Sequence, residues 1–137
     1  MSGDCTFCAI VAGDQPHHRV REDADTVAFL DVHPATRGHT LVVPRRHVRD
    51  LWDADQDVAA RVMRAGWVVA RLARDRLGAD GVNLFQATGE VAFQSEFHLH
   101  LHVVPRYDRE ELVRPWSPLL RADDDELGAV ADVLRGG

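Results

Sequence analysis

The spacing of hydrophobic residues predicts one long helix in the middle of the chain. Between residues 58 and 72 they recur at every third or fourth position, as on one buried helix face: Val58, Val62, Ala65, Val69 and Leu72. Asp53 and Asp55 are both suited to cap the N-terminus of this helix, and Gly78 is suited to end it. The pattern therefore predicts a helix from about residue 53 to residue 78.

Shorter apolar runs on either side of this helix predict strands. They are residues 26–32, 39–44, 81–88 and 97–105. Two short helices are predicted near the ends of the chain, over residues 5–13 and 123–134. Because the connection between the first two strands is too short for a crossover helix, the pattern favours a mainly antiparallel sheet and an α+β fold.

Length and composition are compatible with one domain. With 137 residues, of which 45% are hydrophobic and 28% charged, the chain suits a single domain spanning residues 1–137. Within it we distinguish an N-terminal segment, a histidine-rich strand and a C-terminal tail, which are residues 1–15, 97–105 and 115–137.

The charge of the chain argues against nucleic-acid and membrane partners. The formal net charge is -6, and the short basic stretch PRRHVR at residues 44–49 is interpreted as a solvated loop. All basic residues are arginine, which excludes a catalytic lysine. No apolar run approaches the ~20 residues that span a bilayer. The N-terminus lacks the features of a signal peptide, so a cytoplasmic location is expected.

Two cysteines form a C-x-x-C pair at Cys5 and Cys8. In a reducing compartment such a pair indicates metal ligands or a redox couple before it indicates a structural disulfide. The redox alternative favours a thioredoxin-like βαβ context, which the predicted elements lack. Two simply free thiols remain the other alternative. Spacing alone does not select further metal ligands among the eight histidines.

Three histidines, His98, His100 and His102, alternate with apolar residues in the segment HLHLHVV. On a strand they share one face, and a row of titratable groups does not stabilise a core. On a regular strand the Cα atoms of His98 and His102 lie roughly 13 Å apart. Since zinc bonds nitrogen at about 2 Å, the three side chains do not bind one ion. The row therefore favours nucleophilic or acid–base chemistry, in which an imidazole attacks phosphorus and a neighbouring imidazolium neutralises phosphate oxygens.

The same segment carries a family resemblance. Residues 98–104 match the pattern His-φ-His-φ-His-φ-φ, where φ is apolar, and the stretches FLDVHPATRGHTLVVPRRH and QSEFHLHLHVVPR occur in the order expected of histidine triad (HIT) proteins. From Cys5 to about Trp116 the chain resembles the small nucleoside-phosphoramidase and dinucleoside-polyphosphate branches of the HIT superfamily. The resemblance implies a HIT-like fold with a mainly antiparallel five-stranded sheet, one long helix, a short C-terminal helix and a homodimer.

The resemblance also implies roles for the histidines. The middle histidine of the triad, His100, would attack the α-phosphate of a nucleotide and form a covalent nucleotidyl-histidine. His102 would contact phosphate oxygens and assist, and His39 in RGHTLVVP would belong to the phosphate pocket. This chemistry requires the His100 ring to face an open cleft with a free lone pair.

Three further residues match family positions at the substrate. Ser95 would help the leaving group, and the backbone of Gln94 would donate to phosphate. Asp31 would accept hydrogen bonds from the ribose hydroxyls, a role that a carboxylate facing a cis-diol can fill.

For the cysteine pair, the resemblance implies a structural zinc ion, one per chain. Its ligands would be Cys5, Cys8, His47 and His98. Four protein ligands close the zinc shell, so that the metal would not bind substrate.

Some positions depart from the family pattern or invite a further role. Phe93 stands where a glycine is common, Ala87 where a polar residue is common, and Glu96, which we expect to face solvent, where an apolar residue is common. Trp67 is either a dimer contact or a core residue. Trp116 in the C-terminal tail is a candidate specificity residue.

Three functions are compatible with these residues. The leading one is a hydrolase that releases a nucleoside monophosphate, AMP above all, from a phosphoramidate or a dinucleoside polyphosphate. A second is a nucleotidyltransferase that uses a phosphate acceptor, and a third is a non-catalytic nucleotide-binding protein. Because binding alone does not require a nucleophile, the set of His39, His100, His102 and Ser95 favours an enzyme.

Overall fold

The computed structural model describes residues 5–108, 112 and 114–136. Three helices and five strands alternate in the order α1 (Thr6–Ala12), β1 (Arg19–Glu22), β2 (Thr26–Leu30), β3 (Thr40–Pro44), α2 (Gln56–Leu77), β4 (Gly81–Gln86), β5 (Leu101–Arg106) and α3 (Asp124–Leu134). A single 3₁₀ turn, Glu90–Ala92, lies between β4 and β5. Among the described residues no helix is both long and apolar enough to cross a membrane.

The five strands form one antiparallel sheet in the order β1-β2-β3-β5-β4, which confirms the predicted fold class. Strand β1 did not emerge from the hydrophobic pattern. Its residues, RVRE, are mostly polar and exposed, since it lies at the edge of the sheet. An edge strand with no buried face carries no alternating signal.

The predicted histidine-rich strand over residues 97–105 begins too early. Pairing between β3 and β5 starts at Val42 and Leu101, and the structure assigns no strand to residues 97–100. Two residues beyond Val42 on β3 is Pro44, which has no N–H to continue the hydrogen-bond ladder between β3 and β5. The Leu99 N–H instead donates to the carbonyl oxygen of Val48 at 2.7 Å. The chain therefore leaves the sheet between the first and the last histidine of the row.

Helix α2 packs its apolar face on one side of the sheet. Asp55, not Asp53, caps it by accepting the Val58 N–H at 2.8 Å, and Gly78 ends it in the left-handed conformation. Gly66 lets the helix approach β5 closely, because a Cβ at this position would lie 2.5 Å from a methyl carbon of Leu101. The core on this side consists of Ala28, Val42, Val48, Val62, Ala65, Val69, Leu99, Leu101 and Val103.

The opposite face of the sheet is covered by the short helix α1. Phe7 and Ile10 of this helix pack on the alternate residues of β2 and β3, which are Val27, Phe29, Leu41 and Val43. Because side chains alternate across a strand, His102, which is paired with Leu41, lies on this same face. The histidine row therefore lies on the face of the sheet that α1 covers, whereas α2 packs on the opposite face.

The C-terminal helix α3 forms as predicted, with Asp123 accepting the Glu126 N–H as its N-cap. All of its residues are described, and none of them is buried. Its apolar side, Leu127, Val130, Val133 and Leu134, is exposed in the single chain. An amphipathic helix with no packing partner of its own is typical of a segment that packs in an assembly.

Candidate functional site

A cavity of about 520 Å³ opens between α1 and the end of β5. His100, His102, Ser95 and Asp31 all contribute to its lining, and Phe7 forms part of its wall. The structure therefore brings together four residues that the sequence analysis selected from two separate segments. His39 lies behind them, buried, in contact with His102.

The His100 ring is less open than the sequence analysis required. The residue is only 5% exposed, and its ring packs edge-on against Phe7 at 5.1 Å and against His102 at 5.0 Å between centroids. It still forms part of the cavity wall. Its Nδ1 lies 2.8 Å from the carbonyl oxygen of His98, so Nδ1 carries the proton and donates. The lone pair is therefore on Nε2, as a nucleophile requires.

Two further histidines form a hydrogen-bonded chain. The Ala35 N–H donates to Nδ1 of His39 at 3.0 Å, so the His39 proton is on Nε2. That Nε2–H lies 2.9 Å from Nδ1 of His102 and donates to it, which places the His102 proton on Nε2. The backbone thus fixes the tautomer of His102 through His39.

Burial keeps these two imidazoles uncharged. It lowers the pKa of His102 to about 4, and the neighbouring His100 and His39 act in the same direction, whereas Asp31 opposes them. Burial also lowers the pKa of His39, again against the effect of Asp31. The expectation that an imidazolium in the row neutralises phosphate is therefore wrong for His102 at neutral pH. Its contribution is a neutral N–H donor.

Asp31 follows directly after β2. One of its carboxylate oxygens accepts the His33 N–H at 2.8 Å, and the other lies 3.6 Å from Nε2 of His39. The side chain is partly buried in the cavity wall. It retains acceptor capacity on the cavity side, because each carboxylate oxygen accepts two hydrogen bonds.

The loop before the histidine row keeps a glycine-like conformation although it carries Phe93. This residue has φ 75° and ψ 18°, in the left-handed region, and its side chain is 90% exposed. Such a conformation costs roughly 1–2 kcal/mol for a residue with a Cβ. The backbone therefore adopts the path that a glycine would favour, and the ring projects outward.

Gln94 supports this loop and does not line the cavity. Its buried side chain accepts the Gly89 N–H at 2.8 Å and donates to the carbonyl oxygens of Arg49 and Glu96 at 2.9 and 3.1 Å. Its backbone N–H, which we expected to donate to phosphate, donates to the Gly89 carbonyl instead, at 3.1 Å. The sequence does not reveal this role, because one of the partners, Arg49, is 45 residues away along the chain.

Other positions singled out in the sequence fall elsewhere. Ala87 is not part of the cavity lining, whereas Glu96 is, rather than facing bulk solvent. Trp116 lies away from the cavity, on a hollow that it shares with Phe85. Trp67 is 56% exposed on α2, with the Arg71 guanidinium 4.9 Å above its ring, so it is not a core residue.

A second cluster holds the C-x-x-C pair. The potential ligand atoms of Cys5, Cys8, His47 and His98 all lie within 4.8 Å of one another. Nδ1 of His98 is 3.3 and 3.5 Å from the two sulfurs and 3.2 Å from Nδ1 of His47, which is itself 3.2 Å from the sulfur of Cys8. A tetrahedral zinc ion places its nitrogen and sulfur ligands about 3.3–3.8 Å apart. The cluster therefore has the dimensions of a zinc site.

The protonation of His98 suits a metal ligand. The residue is fully buried, and its Nε2–H donates to the carbonyl oxygen of Pro44 at 2.9 Å, which leaves the Nδ1 lone pair facing the cysteines. Burial lowers its pKa to about 4 and raises the pKa of the Cys8 thiol to about 11, with Cys5 adding to the latter. A buried thiol pair ionises when a divalent cation lies beside it.

The comparisons with known proteins agree with this geometry. An antiparallel α+β fold with a histidine row that runs into the start of β5 defines the class, and residues 12–109 match the HIT domain family. The chain belongs to the HIT family. An uncharacterized HIT-like protein of Mycobacterium tuberculosis is 43% identical over 131 residues, which cover 96% of this chain and 90% of that protein.

Two solved structures extend the likeness to the whole chain. A protein of Streptococcus mutans superposes with a TM-score of 0.92 at 40% identity, covering 98% of this chain and 85% of that one. A zinc-bound histidine triad family protein from Mycobacterium smegmatis superposes with a TM-score of 0.80 at 41% identity, covering all of both chains.

Two relatives carry an activity in their names. An adenosine 5′-monophosphoramidase of Schizosaccharomyces pombe is 31% identical over 130 residues, covering 95% of each chain. An adenylylsulfatase of Arabidopsis thaliana is 31% identical over 110 residues, covering 80% of this chain and 56% of that protein. The family thus includes hydrolases that act on adenylyl compounds.

Proposed function

We propose that the protein cleaves a nucleoside monophosphate, AMP above all, from a phosphoramidate or a dinucleoside polyphosphate through a nucleotidyl-His100 intermediate. The observation that carries this proposal is the tautomer of His100. Its Nδ1–H is held by a backbone carbonyl, and its Nε2 lone pair belongs to a ring in the wall of the 520 Å³ cavity. The names of two relatives, a phosphoramidase and an adenylylsulfatase, support the same chemistry.

In the first step Nε2 of His100 forms a bond to the α-phosphorus while the bond to the leaving group breaks. The leaving atom keeps that electron pair and takes up a proton from water through the Ser95 hydroxyl, which lines the same cavity. The imidazole becomes positively charged, and the His98 carbonyl that accepts its Nδ1–H stabilises this charge. In the second step water displaces His100 and releases the monophosphate.

Two neighbours position the substrate in this mechanism. His102 directs an N–H on Nε2 toward phosphate oxygens, because its Nδ1 is occupied by the His39 donor. Asp31 accepts hydrogen bonds from ribose hydroxyls. Gln94 acts indirectly, by bracing the loop that carries Ser95.

The test is the replacement His100→Ala, assayed with adenosine 5′-phosphoramidate by chromatographic detection of AMP. We expect a fall in kcat/KM of about 10³-fold or more with an unchanged thermal unfolding curve, because the nucleophile is lost and the fold is not. His18→Ala, at an exposed histidine outside the cavity, is the matched control. Full activity of His100→Ala refutes the assignment. Added inorganic phosphate that diverts the product from AMP to ADP identifies a transferase instead.

We also propose that Cys5, Cys8, His47 and His98 hold one structural zinc ion per chain. The distances within the cluster and the inward lone pair of His98 support it, as does the zinc-bound relative from Mycobacterium smegmatis. Zinc would tie α1 to the segment after β3, which carries His47, and to the segment before β5, which carries His98. Since α1 supplies Phe7 and Ile10 to the cavity wall, the metal would hold that wall in place.

Finally, we propose that the protein forms a homodimer through β4 and α2. Strand β4 is an edge of the sheet with exposed Val82 and Phe85, and Trp67 lies beside Val82 on the adjacent hollow. An apolar edge strand is typical of a surface that pairs with a second copy. Trp67→Glu should convert the dimer to a monomer in sedimentation equilibrium, whereas Leu51→Glu should not. A wild-type protein that is monomeric at all concentrations contradicts the proposal.

A further inference from the structure

The charged and titratable groups around the cavity are unevenly distributed. Among the described lining residues they are two carboxylates and four imidazoles, without an arginine: Asp31, Glu96, His17, His33, His100 and His102. The chain contains no lysine. The described lining therefore contains two carboxylates and neither an arginine nor a lysine.

The two carboxylates differ in their partners. Asp31 is engaged by the His33 N–H and lies near His39. The Glu96 carboxylate, which is partly buried, has no hydrogen bond or ion pair with any described residue, although its backbone oxygen accepts from the Gln94 side chain at 3.1 Å. A braced backbone thus holds an unpaired negative charge in the wall of the cavity.

The position of Glu96 relates this charge to one end of the substrate. It directly follows Ser95, which lines the same cavity. With Ser95 at the leaving group, as the proposed function has it, the Glu96 carboxylate lies on the leaving-group side. A leaving group with additional negative charges, such as a polyphosphate or a sulfate, is repelled there and finds no cation. A leaving group with a positive charge is attracted.

We propose that Glu96 selects substrates whose leaving group is a cationic amine, so that the preferred class is a nucleoside 5′-phosphoramidate of an amine that bears a second, ammonium group. This inference rests on the proposed function. The P–N bond breaks as the bond from Nε2 of His100 to phosphorus forms. The nitrogen keeps the electron pair of the P–N bond, takes a proton from water through the Ser95 hydroxyl and departs as the free amine.

Three adenosine phosphoramidates of nearly equal size test this selection. Their amines are 1,3-diaminopropane, butylamine and β-alanine, which give a cationic, a neutral and an anionic leaving group. In the wild type we expect kcat/KM to be about 10-fold higher for the cationic than for the neutral compound, the effect of one opposite charge at partly solvated contact distance, and lower still for the anionic compound. High salt should reduce the ratio.

The variant Glu96→Gln removes the charge and keeps the shape, so the cationic-to-neutral ratio should fall to about one. Glu90→Gln, in the 3₁₀ turn of the same loop and outside the cavity lining, should retain the wild-type ratio. A ratio near one in the wild type, or an unchanged ratio in Glu96→Gln, overturns the proposal.

A binding experiment separates this inference from the proposed function. If no phosphoramidate is turned over, calorimetry with the 3-aminopropyl and butyl phosphodiesters of AMP measures the same preference without reaction. Tighter binding of the aminopropyl ester by the wild type, lost in Glu96→Gln, supports the role of Glu96 even though the proposed reaction has failed. Equal affinities, or no binding of either ester, overturn it.

Discussion

Two clusters of potential metal ligands lie on the same face of the sheet, and they differ in which of their histidine ring nitrogens carry protons. The four donor atoms of Cys5, Cys8, His47 and His98 converge within 4.8 Å, and so do those of the second cluster, Asp31, His39 and His102. In the first cluster, the Pro44 carbonyl accepts a hydrogen bond from Nε2–H of His98, so the lone pair on Nδ1 faces the other potential ligands. Convergence and hydrogen bonding therefore both suit the proposed metal site.

In the second cluster the hydrogen bonds oppose metal binding. The Ala35 N–H occupies the lone pair of His39 Nδ1, so its Nε2, the atom that faces the cluster, carries a proton. That proton in turn occupies Nδ1 of His102. A metal here would need an imidazolate or the loss of both hydrogen bonds. Proximity of ligand atoms is thus insufficient, and the outer hydrogen bonds distinguish a potential metal site from a hydrogen-bonded histidine chain.

The largest effect should come from breaking the metal cluster. Cys5→Ser should reduce the zinc content from one per chain to nearly zero and lower Tm by about 10 °C, because metal binding contributes directly to folding free energy. Elemental analysis and thermal unfolding measure both quantities. A chelator should have the same effect on the wild type.

The matched control for this prediction is Asp31→Asn, which removes the carboxylate of the second cluster and should leave one zinc per chain. Two zinc ions per wild-type chain, one of them lost in Asp31→Asn, would show that the second cluster binds metal as well. A metal-free wild type of unchanged stability would refute the first site.

Breaking the hydrogen-bonded chain of His39 and His102 should reduce the rate without removing zinc. In His39→Leu the Nδ1 atom of His102 loses its donor, so that neither tautomer of His102 is held, and we expect kcat to fall about 100-fold. His39→Gln retains an N–H donor on its side chain and should recover part of this loss. The assay is steady-state release of AMP, with zinc content measured in parallel. A His39→Leu variant within twofold of the wild type contradicts this role of the hydrogen-bonded chain.

The smallest effect concerns pH and tests the neutrality of His102, which is faced by His39, His100 and Asp31. Its pKa falls from 6.5 in the unfolded chain to about 4 in the fold. Between these values the unfolded chain binds more protons, so stability falls as pH decreases from 6.5 toward 4. We expect the free energy of unfolding to fall by about 1–2 kcal/mol between pH 7 and pH 5 for this reason. Urea unfolding of the wild type should show it, and His102→Gln should show a smaller pH dependence. If wild type and His102→Gln show the same dependence of stability on pH, the neutrality of His102 in the fold is refuted.

The accuracy of the sequence predictions follows the burial of each element. Helix α2 was predicted within three residues at either end, because one of its faces is buried from Val62 to Ala73 and its two caps are clear in the sequence. Strands β2, β3 and β4 were also found, each with an end one or two residues too long. Strand β1 was missed, since a polar edge strand lacks the alternating pattern.

Within the site, the residue types were predictable and their partners were not. The histidine spacing indicated the chemistry, and the HIT resemblance selected His47 and His98 as metal ligands. The early end of the β3–β5 ladder, which separates His98 from the strand of His102, was not anticipated, because it depends on pairing with Pro44. The sequence pattern likewise places Glu96 in solvent, and only the fold shows this residue in the cavity lining.

The sequence by itself determined the family, the antiparallel fold class and the side chains available for chemistry, because these follow from local spacing and residue type. Only the tertiary structure decided which ring nitrogen carries each proton and which carboxylate faces the cavity. Those properties depend on backbone groups that are distant along the chain, such as the Pro44 carbonyl that lies 2.9 Å from His98. Hydrogen-bond geometry and burial arise only when such segments meet.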